Sequence, residues 1–465
     1  MLTSSLACGA GGFQAEKVDE TYVVGSRLQY RCRQHETKPV DIQTEHPGKQ
    51  VKTGGNMSDL SATSRKAVLA VMIISVVLLF GSMTPPLLAY IMYSYPGEPV
   101  MLLLQIPAFV GMIVSFLVGP LAMRINLKWL MVVTALSSLV YFCIFAYVGA
   151  DGPFAMLLFA AGMVGICQGA AMVLTSSILG AYVFDPGRRA NFIAISTALL
   201  NGGAAVINII GGVIAAGNGG ANWPYAYFLG LLIIPALIVF CIMMPRQPDA
   251  VEAGKAGNGG PSGHGGPIPA GFIPLKAFLL IGMSTMVFLG VAVLLLNVGN
   301  YIVDELKIGT SAEAGLANAL FTILGVIAGF SFPLIVKFTK NLTVPIGYAV
   351  CAVGLACLAF ANTSIIGIFV GACLCGFGLT AAIPFVLGHL MVITPPRWIP
   401  VALSINIGGM NMAMTFNPNI MGGASQLLNG TIESQFLIGT VLVAIGVLCA
   451  IVLLVLWKNP APAAS

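Results

Sequence analysis

Charge is what this chain has least of. Of its 465 residues, 8% are Asp, Glu, Lys or Arg while 58% are hydrophobic, and the mean hydropathy is +0.95. So little polar surface cannot cover a water-soluble globule of this length, which marks the chain as a polytopic membrane protein. The formal charge of +5 comes from scattered residues rather than a stripe, so no nucleic-acid partner is expected. No Gly-x-x-x-x-Gly-Lys-Ser/Thr occurs, and with it goes the signature of a nucleotide-driven pump. There are only four histidines, and the apolar runs hold no metal-ligand cluster, paired carboxylates or Ser-His constellation. The expectation is therefore a non-enzyme with no cofactor and no metal. Of the ten cysteines, Cys8 and Cys32 lie in the polar head and the rest inside apolar runs, so structural disulfides are not expected.

What is present is length of apolar sequence. Twelve runs come near the roughly 20 residues that span a bilayer: 67–92, 100–122, 128–149, 154–183, 190–215, 223–244, 274–301, 312–337, 343–361, 364–391, 399–425 and 434–457. The head, 1–66, has neither a signal-peptide run nor a sustained period and is read as a disordered cytoplasmic tail. Met57 begins a more usual lead into the first run, which leaves open whether 1–56 belong to the natural protein. The one long break, rich in Gly and Pro (AGNGGPSGHGGPIPAG), reads as a flexible linker. The expected organisation is all-α: a tail 1–66, a six-helix bundle 67–245, a cytoplasmic linker 246–273, a second six-helix bundle 274–458 and a tail 459–465.

The halves are copies. Gly111 to Lys128 reads GMIVSFLVGPLAMRINLK, and Gly325 to Lys340, about 214 residues on, reads GVIAGFSFPLIVKFTK. They share the leading Gly, a Phe (Phe116, Phe330), a Pro-Leu pair and a closing basic turn. Asp185 to Arg189 (DPGRR) and Thr394 to Trp398 (TPPRW) recur at a similar offset, and parallel repeats of a membrane half are a transporter design. Charge gives the orientation: of the twelve Lys and Arg after residue 66, only Lys307 falls outside if the N-terminus is cytoplasmic. Both termini are therefore expected in the cytoplasm, with the tryptophans Trp129, Trp223, Trp398 and Trp457 at span ends as an interfacial belt.

The 6+6 repeat, the basic turn after the second span and Trp223-x-x-x-x-Phe228 at the start of the sixth resemble the major facilitator superfamily over about Ala67 to Lys458. The family's turn signature is Gly-x-x-x-Asp-Arg-x-Gly-x-Lys/Arg-Lys/Arg. Here Gly119, Arg124 and Lys128 keep it, while Met123 and Asn126 replace its Asp and second Gly. The resemblance implies a site near the midplane between halves that rock about it, gated by Gly119, Arg124 and Lys128, by Gly329 and Lys337 in the repeat, and by Arg188 and Arg397. The fourth-span arginine of the family's proton-coupled drug exporters falls at about Ala161, and of their fifth-span Gly-Pro-x-x-Gly-Gly only Gly211-Gly212 survives.

No Asp, Glu, Lys or Arg lies in the core of a span, so a carboxylate proton relay has no candidate. His389 is the one group near the membrane that titrates close to neutrality, a candidate proton carrier set against a packing role. What remains for substrate is amide. Gln168, Asn201 and Asn411 lie at mid-depth, with Gln105, Asn297 and Asn318 displaced toward one face; the alternative for each is glue between helices. Asn208 and Asn406 belong to the same set, and Pro85-Pro86, Pro384 and Pro418 are expected to kink or break their helices. The leading reading is a secondary transporter of a small neutral or zwitterionic solute, working as a monomer in the cell membrane, with a coupling proton or ion left open. Proton-coupled drug or metabolite efflux and a non-transporting receptor on the same scaffold are the alternatives.

Overall fold

The computed structural model describes residues 60–217, 221–245, 273–309, 311–360 and 364–456; the tail, most of the linker and Trp457 lie outside these. Among the described residues the chain is helical, and twelve helical runs are long and apolar enough to cross a membrane. They are span 1 (Ala62–Met83), span 2 (Leu102–Ala122), span 3 (Leu127–Val148), span 4 (Phe154–Tyr182), span 5 (Pro186–Ala215) and span 6 (Trp223–Met243). Then come span 7 (Leu275–Glu305), span 8 (Glu313–Phe330), span 9 (Phe332–Phe360), span 10 (Ile365–Ile393), span 11 (Pro396–Ser425) and span 12 (Ile432–Val455).

The few charges gather where helices leave backbone groups unpaired. Asn126 caps span 3 and Asp185 caps span 5, their side chains accepting from the amides of Lys128 and Arg188. Lys128 Nζ donates to the carbonyls of Cys241 (2.7 Å) and Met244 (3.3 Å), at the C-terminal end of span 6. Buried Arg189 does the same for span 4, donating to Val183 O and Phe184 O. The Glu305 carboxylate accepts from the amides of Ile432 and Glu433 at the start of span 12. Cations thus sit at carbonyl ends and an anion at an amide end, as the helix dipole favours.

Three expectations need correction, and the one for the prolines is met in part. Span 5 begins at Pro186, four residues earlier than its hydropathy indicates, because Asp185 caps it and a proline suits its first turn. The run 312–337 is not one helix: it stops at Phe330, and a second helix starts at Phe332 with Pro333 in its first turn. Pro384 and Pro418 sit inside unbroken helices, whereas at Pro85-Pro86 span 1 tightens to a 3-10 turn over Leu79–Met83 and restarts as Thr84–Ser94. Trp223 is no belt residue: it is fully buried, and its Nε1 donates to Ser94 Oγ at 2.9 Å. The eight described cysteines are free.

Packing repeats as the sequence does. Spans 1–5, 1–6, 2–4 and 3–4 pair in the first half, and 7–11, 7–12, 8–10 and 9–10 pair in the second. Between the halves the pairs are 2–11 and 5–8, with 4–11 and 5–10 crossing beside them. The duplicated glycines hold equivalent places: Gly111 lies against Gly165 and Gly169 of span 4, Gly325 against Gly376 and Thr380 of span 10.

Candidate functional site

The two seams between the halves define the site. Along spans 2 and 11, Ser404 Oγ donates to Ser115 O (2.6 Å) and Phe116 O (3.0 Å), and Asn411 Nδ2 donates to Ser115 Oγ (2.7 Å). Thr415 Oγ1 reaches Ala108 O at 3.3 Å. Gly119 lets the helices meet: a Cβ there would lie 2.5 Å from Ser404 Cβ and 2.7 Å from Pro400 O. Along spans 5 and 8 the fit is apolar. A Cβ on Gly329 would lie 2.7 Å from Ala198 Cβ, and one on Gly202 would touch Val326 at 3.7 Å. Gly180 meets Met391 and Gly388 meets Ala190, joining spans 4 and 5 to span 10 at the end that carries the 185–189 and 394–398 turns. These approaches hold the halves together at that end.

Which side chains face the interior follows from which faces are already occupied. On span 4, Gly165 and Gly169 meet span 2, while Val164 and Cys167 meet span 1, the Cys167 thiol donating to Leu78 O at 3.0 Å. Helical spacing leaves Gln168 in the angle between these contacts. On span 5, Ala194, Ala198 and Gly202 face span 8, Gly203 and Gly211 face span 1, and the exposed Val206, Ile209, Ile210 and Val213 form a lipid face. The remaining side carries Thr197, Asn201, Ala204 and Asn208. On span 8, Val326 and Gly329 face span 5 and Gly325 faces span 10, with Asn318 and Thr322 between them. The interior faces of spans 4, 5 and 8 thus carry amides and hydroxyls and no charge. Asn208 Oδ1 and Asn318 Oδ1 are buried with no hydrogen-bond partner.

The expected substrate residues divide. Gln168, Asn201 and Asn318 are brought to these interior faces. Asn411 is engaged in the span 2–11 seam, and Asn297 Nδ2 donates to Gln435 Oε1 (2.9 Å), tying span 7 to span 12. Buried Asn406 accepts from Ser284 Oγ at 2.5 Å between spans 7 and 11. Gln105 is exposed, one turn before Phe109 on the exposed apolar face. Of the expected gate, Gly119 and Gly329 are the close-approach positions; Arg124 and Lys337 are exposed, and Arg188 lies 3.9 Å from its own cap Asp185. Arg397 lies in the Pro396–Trp398 turn, and the His389 ring stacks on Phe385 with centroids 6.3 Å apart. The sequence reading missed Thr197, Thr322, Ser115 and Ser404. Their signal is only a helical spacing shared with named residues: Thr197 one turn before Asn201, Thr322 one turn after Asn318, Ser115 one turn after Gly111.

The family model of the Major Facilitator Superfamily matches residues 69–361, well over half the chain. The chain belongs to this superfamily. Its members are transporters rather than enzymes, and the twelve spans make it an integral membrane protein. The fold is similar to that of the human organic anion transporter MFSD10 (TETRAN), at 13% identity and a TM-score of 0.67 over 84% of this chain and 100% of that one. It is also similar to the transporter FucP in the outward conformation (12% identity, TM-score 0.67, 83% and 98% covered). A bacterial homologue of the iron transporter ferroportin in the outward-facing state matches at 15% identity and TM-score 0.61, with 85% and 100% covered. Among curated proteins nothing matches the chain.

Proposed function

We propose that the protein carries a small neutral or zwitterionic organic solute across the cell membrane, as a monomer with both termini cytoplasmic, by alternating access. The observation that supports this reading is the uncharged polar character of the faces left free by helix packing: Gln168 on span 4, Thr197 and Asn201 on span 5 and Thr322 on span 8. An anion would want a fixed positive charge there, and a cation a carboxylate; amides and hydroxyls suit hydroxyls, amides or a balanced pair of charges. The closed end bears Arg188, Arg189, Lys128 and Arg397, the side that the distribution of basic residues assigns to the cytoplasm. On this reading the cleft faces outward in this conformation, one of the two that alternating access requires.

Thermal unfolding of the purified protein against neutral sugars and polyols, amino acids, carboxylates and lipophilic cations tests the reading. A specific ligand at 100 times its dissociation constant adds about 2.7 kcal/mol. The expected result is a shift with a neutral or zwitterionic solute that is lost in a Gln168→Leu, Asn201→Leu double variant. Shifts confined to carboxylates or lipophilic cations would overturn it.

A further inference from the structure

Between spans 3 and 6 the packing leaves a groove on the flank of the first half. The two helices run antiparallel: Gly149 meets Pro224, Phe145 lies against Tyr227 with ring centroids 4.6 Å apart, and Gly230 meets Phe142. A Cβ on Gly230 would lie 2.0 Å from Phe142 Cγ, so the close approach there depends on glycine. Over this stretch span 6 tightens to a 3-10 turn, Tyr227–Leu232, in which side chains three residues apart eclipse. Phe228 and Leu231 therefore form one ridge, and at the same level span 3 offers only the small Cys143 and Ala146. The result is a cavity of about 350 Å³, with Phe142 and Tyr227 buried at its base and Tyr147, Phe228 and Leu231 exposed at its rim.

What covers it follows from where it lies. Both helices are membrane spans, and the groove sits one to two turns in from their ends at Val148 and Trp223. That is acyl-chain depth, in the leaflet on the side of the Asp151 turn. The lining is apolar except for two phenols and a thiol, so the occupant is hydrocarbon. Lipid tails are as apolar as leucine and gain nothing by transfer alone. The groove fills because an empty one forfeits dispersion contacts on each of its walls. The turns beyond it then select the headgroup. Asp151 follows Tyr147 by four residues, and the described residues within 95–101, 149–153 and 216–222 include Glu98 and Asp151 and no Lys or Arg. A net anionic headgroup is repelled there, whereas one that carries an ammonium group is matched.

We propose that the groove between spans 3 and 6 binds one acyl chain of a zwitterionic phospholipid, with the lipid's ammonium group toward Asp151. Spans 3 and 6 pack on spans 1, 4 and 5 of their own half. The lipid therefore stays with that half while the halves move, and its binding does not depend on the identity of the solute.

The test is native mass spectrometry of the full-length protein, purified in mild detergent and titrated with phosphatidylcholine or phosphatidylglycerol of the same chains. The expected result is one phosphatidylcholine held at least about tenfold more tightly than any further copy. Ala146→Trp fills the groove and should abolish that first adduct, and Cys143→Phe is a second filling variant should the first fold poorly. Leu117→Trp, on the exposed face of span 2, should leave the adduct in place. Asp151→Asn should remove a preference for phosphatidylcholine over phosphatidylglycerol of about threefold, the scale of one exposed charge contact. A graded series with no distinct first site, a first adduct that survives both filling variants, or a dimer of the protein in place of the adduct would each overturn the assignment. Equal or tighter binding of phosphatidylglycerol, or a preference unchanged by Asp151→Asn, would overturn the choice of headgroup.

Discussion

The seam between spans 2 and 11 and the seam between spans 5 and 8 occupy equivalent places in the repeat, yet they are built differently. The first is polar and satisfied: Ser115, Ser404, Asn411 and Thr415 bond across it. The second is small and apolar where it is tight, at Gly329, Ala198, Gly202 and Val326, and its amides Asn208 and Asn318 keep unpaired oxygens. The difference separates two uses of one residue type. An asparagine bonded across a seam holds the halves together, whereas one left unpaired at a comparable depth is available to something that enters. Hydrogen bonds between membrane helices contribute about 0.6 kcal/mol each on average, so three or four across the first seam amount to a few kcal/mol. That is the scale a bound solute or ion can reverse.

Breaking the closed end should have the largest effect. Gly119→Val drives a side chain into Ser404 and the Pro400 carbonyl, and overpacking of about 1–3 kcal/mol should hold the halves apart there. Uptake into liposomes should fall roughly tenfold to a hundredfold, with the protein still folded by melting and size exclusion. Gly329→Val should act in the same direction but less, because it meets the Cβ of Ala198 and only then the Ala194 carbonyl. Equal or reversed effects would mean the two seams do not differ as described. Next comes the lining: Gln168→Leu and Asn201→Leu should each raise the solute KM about tenfold, the loss of roughly one good hydrogen bond. Asn411→Ala should instead leave KM within about twofold and shift the conformational equilibrium about threefold, an effect of some 0.6 kcal/mol. Single-molecule distance measurements across the closed end would report that shift. Smallest of all, Asn297→Leu should cost only a fraction of a kcal/mol of stability and leave transport unchanged, since its partner is Gln435 on span 12.

Much of the fold was legible because it rests on patterns that survive without tertiary detail. The twelve apolar runs, the duplicated Gly111 and Gly325 segments and the scarcity of buried charge all read directly from the chain. What was misread turned on local chemistry. The start of span 5 depended on Asp185 capping a helix that hydropathy begins later, and Trp223 depended on Ser94, distant in sequence. Pro384 and Pro418 were tolerated within their helices, whereas the paired Pro85-Pro86 broke one. Asn297 and Asn411 were drawn into helix contacts while Gln168 and Asn201 were not, because an amide looks the same in sequence whichever way its helix is turned. Ser115 and Ser404 were invisible for a simpler reason: a serine in a membrane helix ordinarily bonds its own preceding turn.

The central proposal is that Asn201 lines a cleft reached from one side only. With the native cysteines replaced, Asn201→Cys should react with a membrane-impermeant thiol reagent from the side of the Asp151 and Asn429 turns and not from the side of the 185–189 turn. Adding Gly119→Val should reverse that preference. Equal reaction from both sides, or none from either while the protein remains folded, would contradict the account.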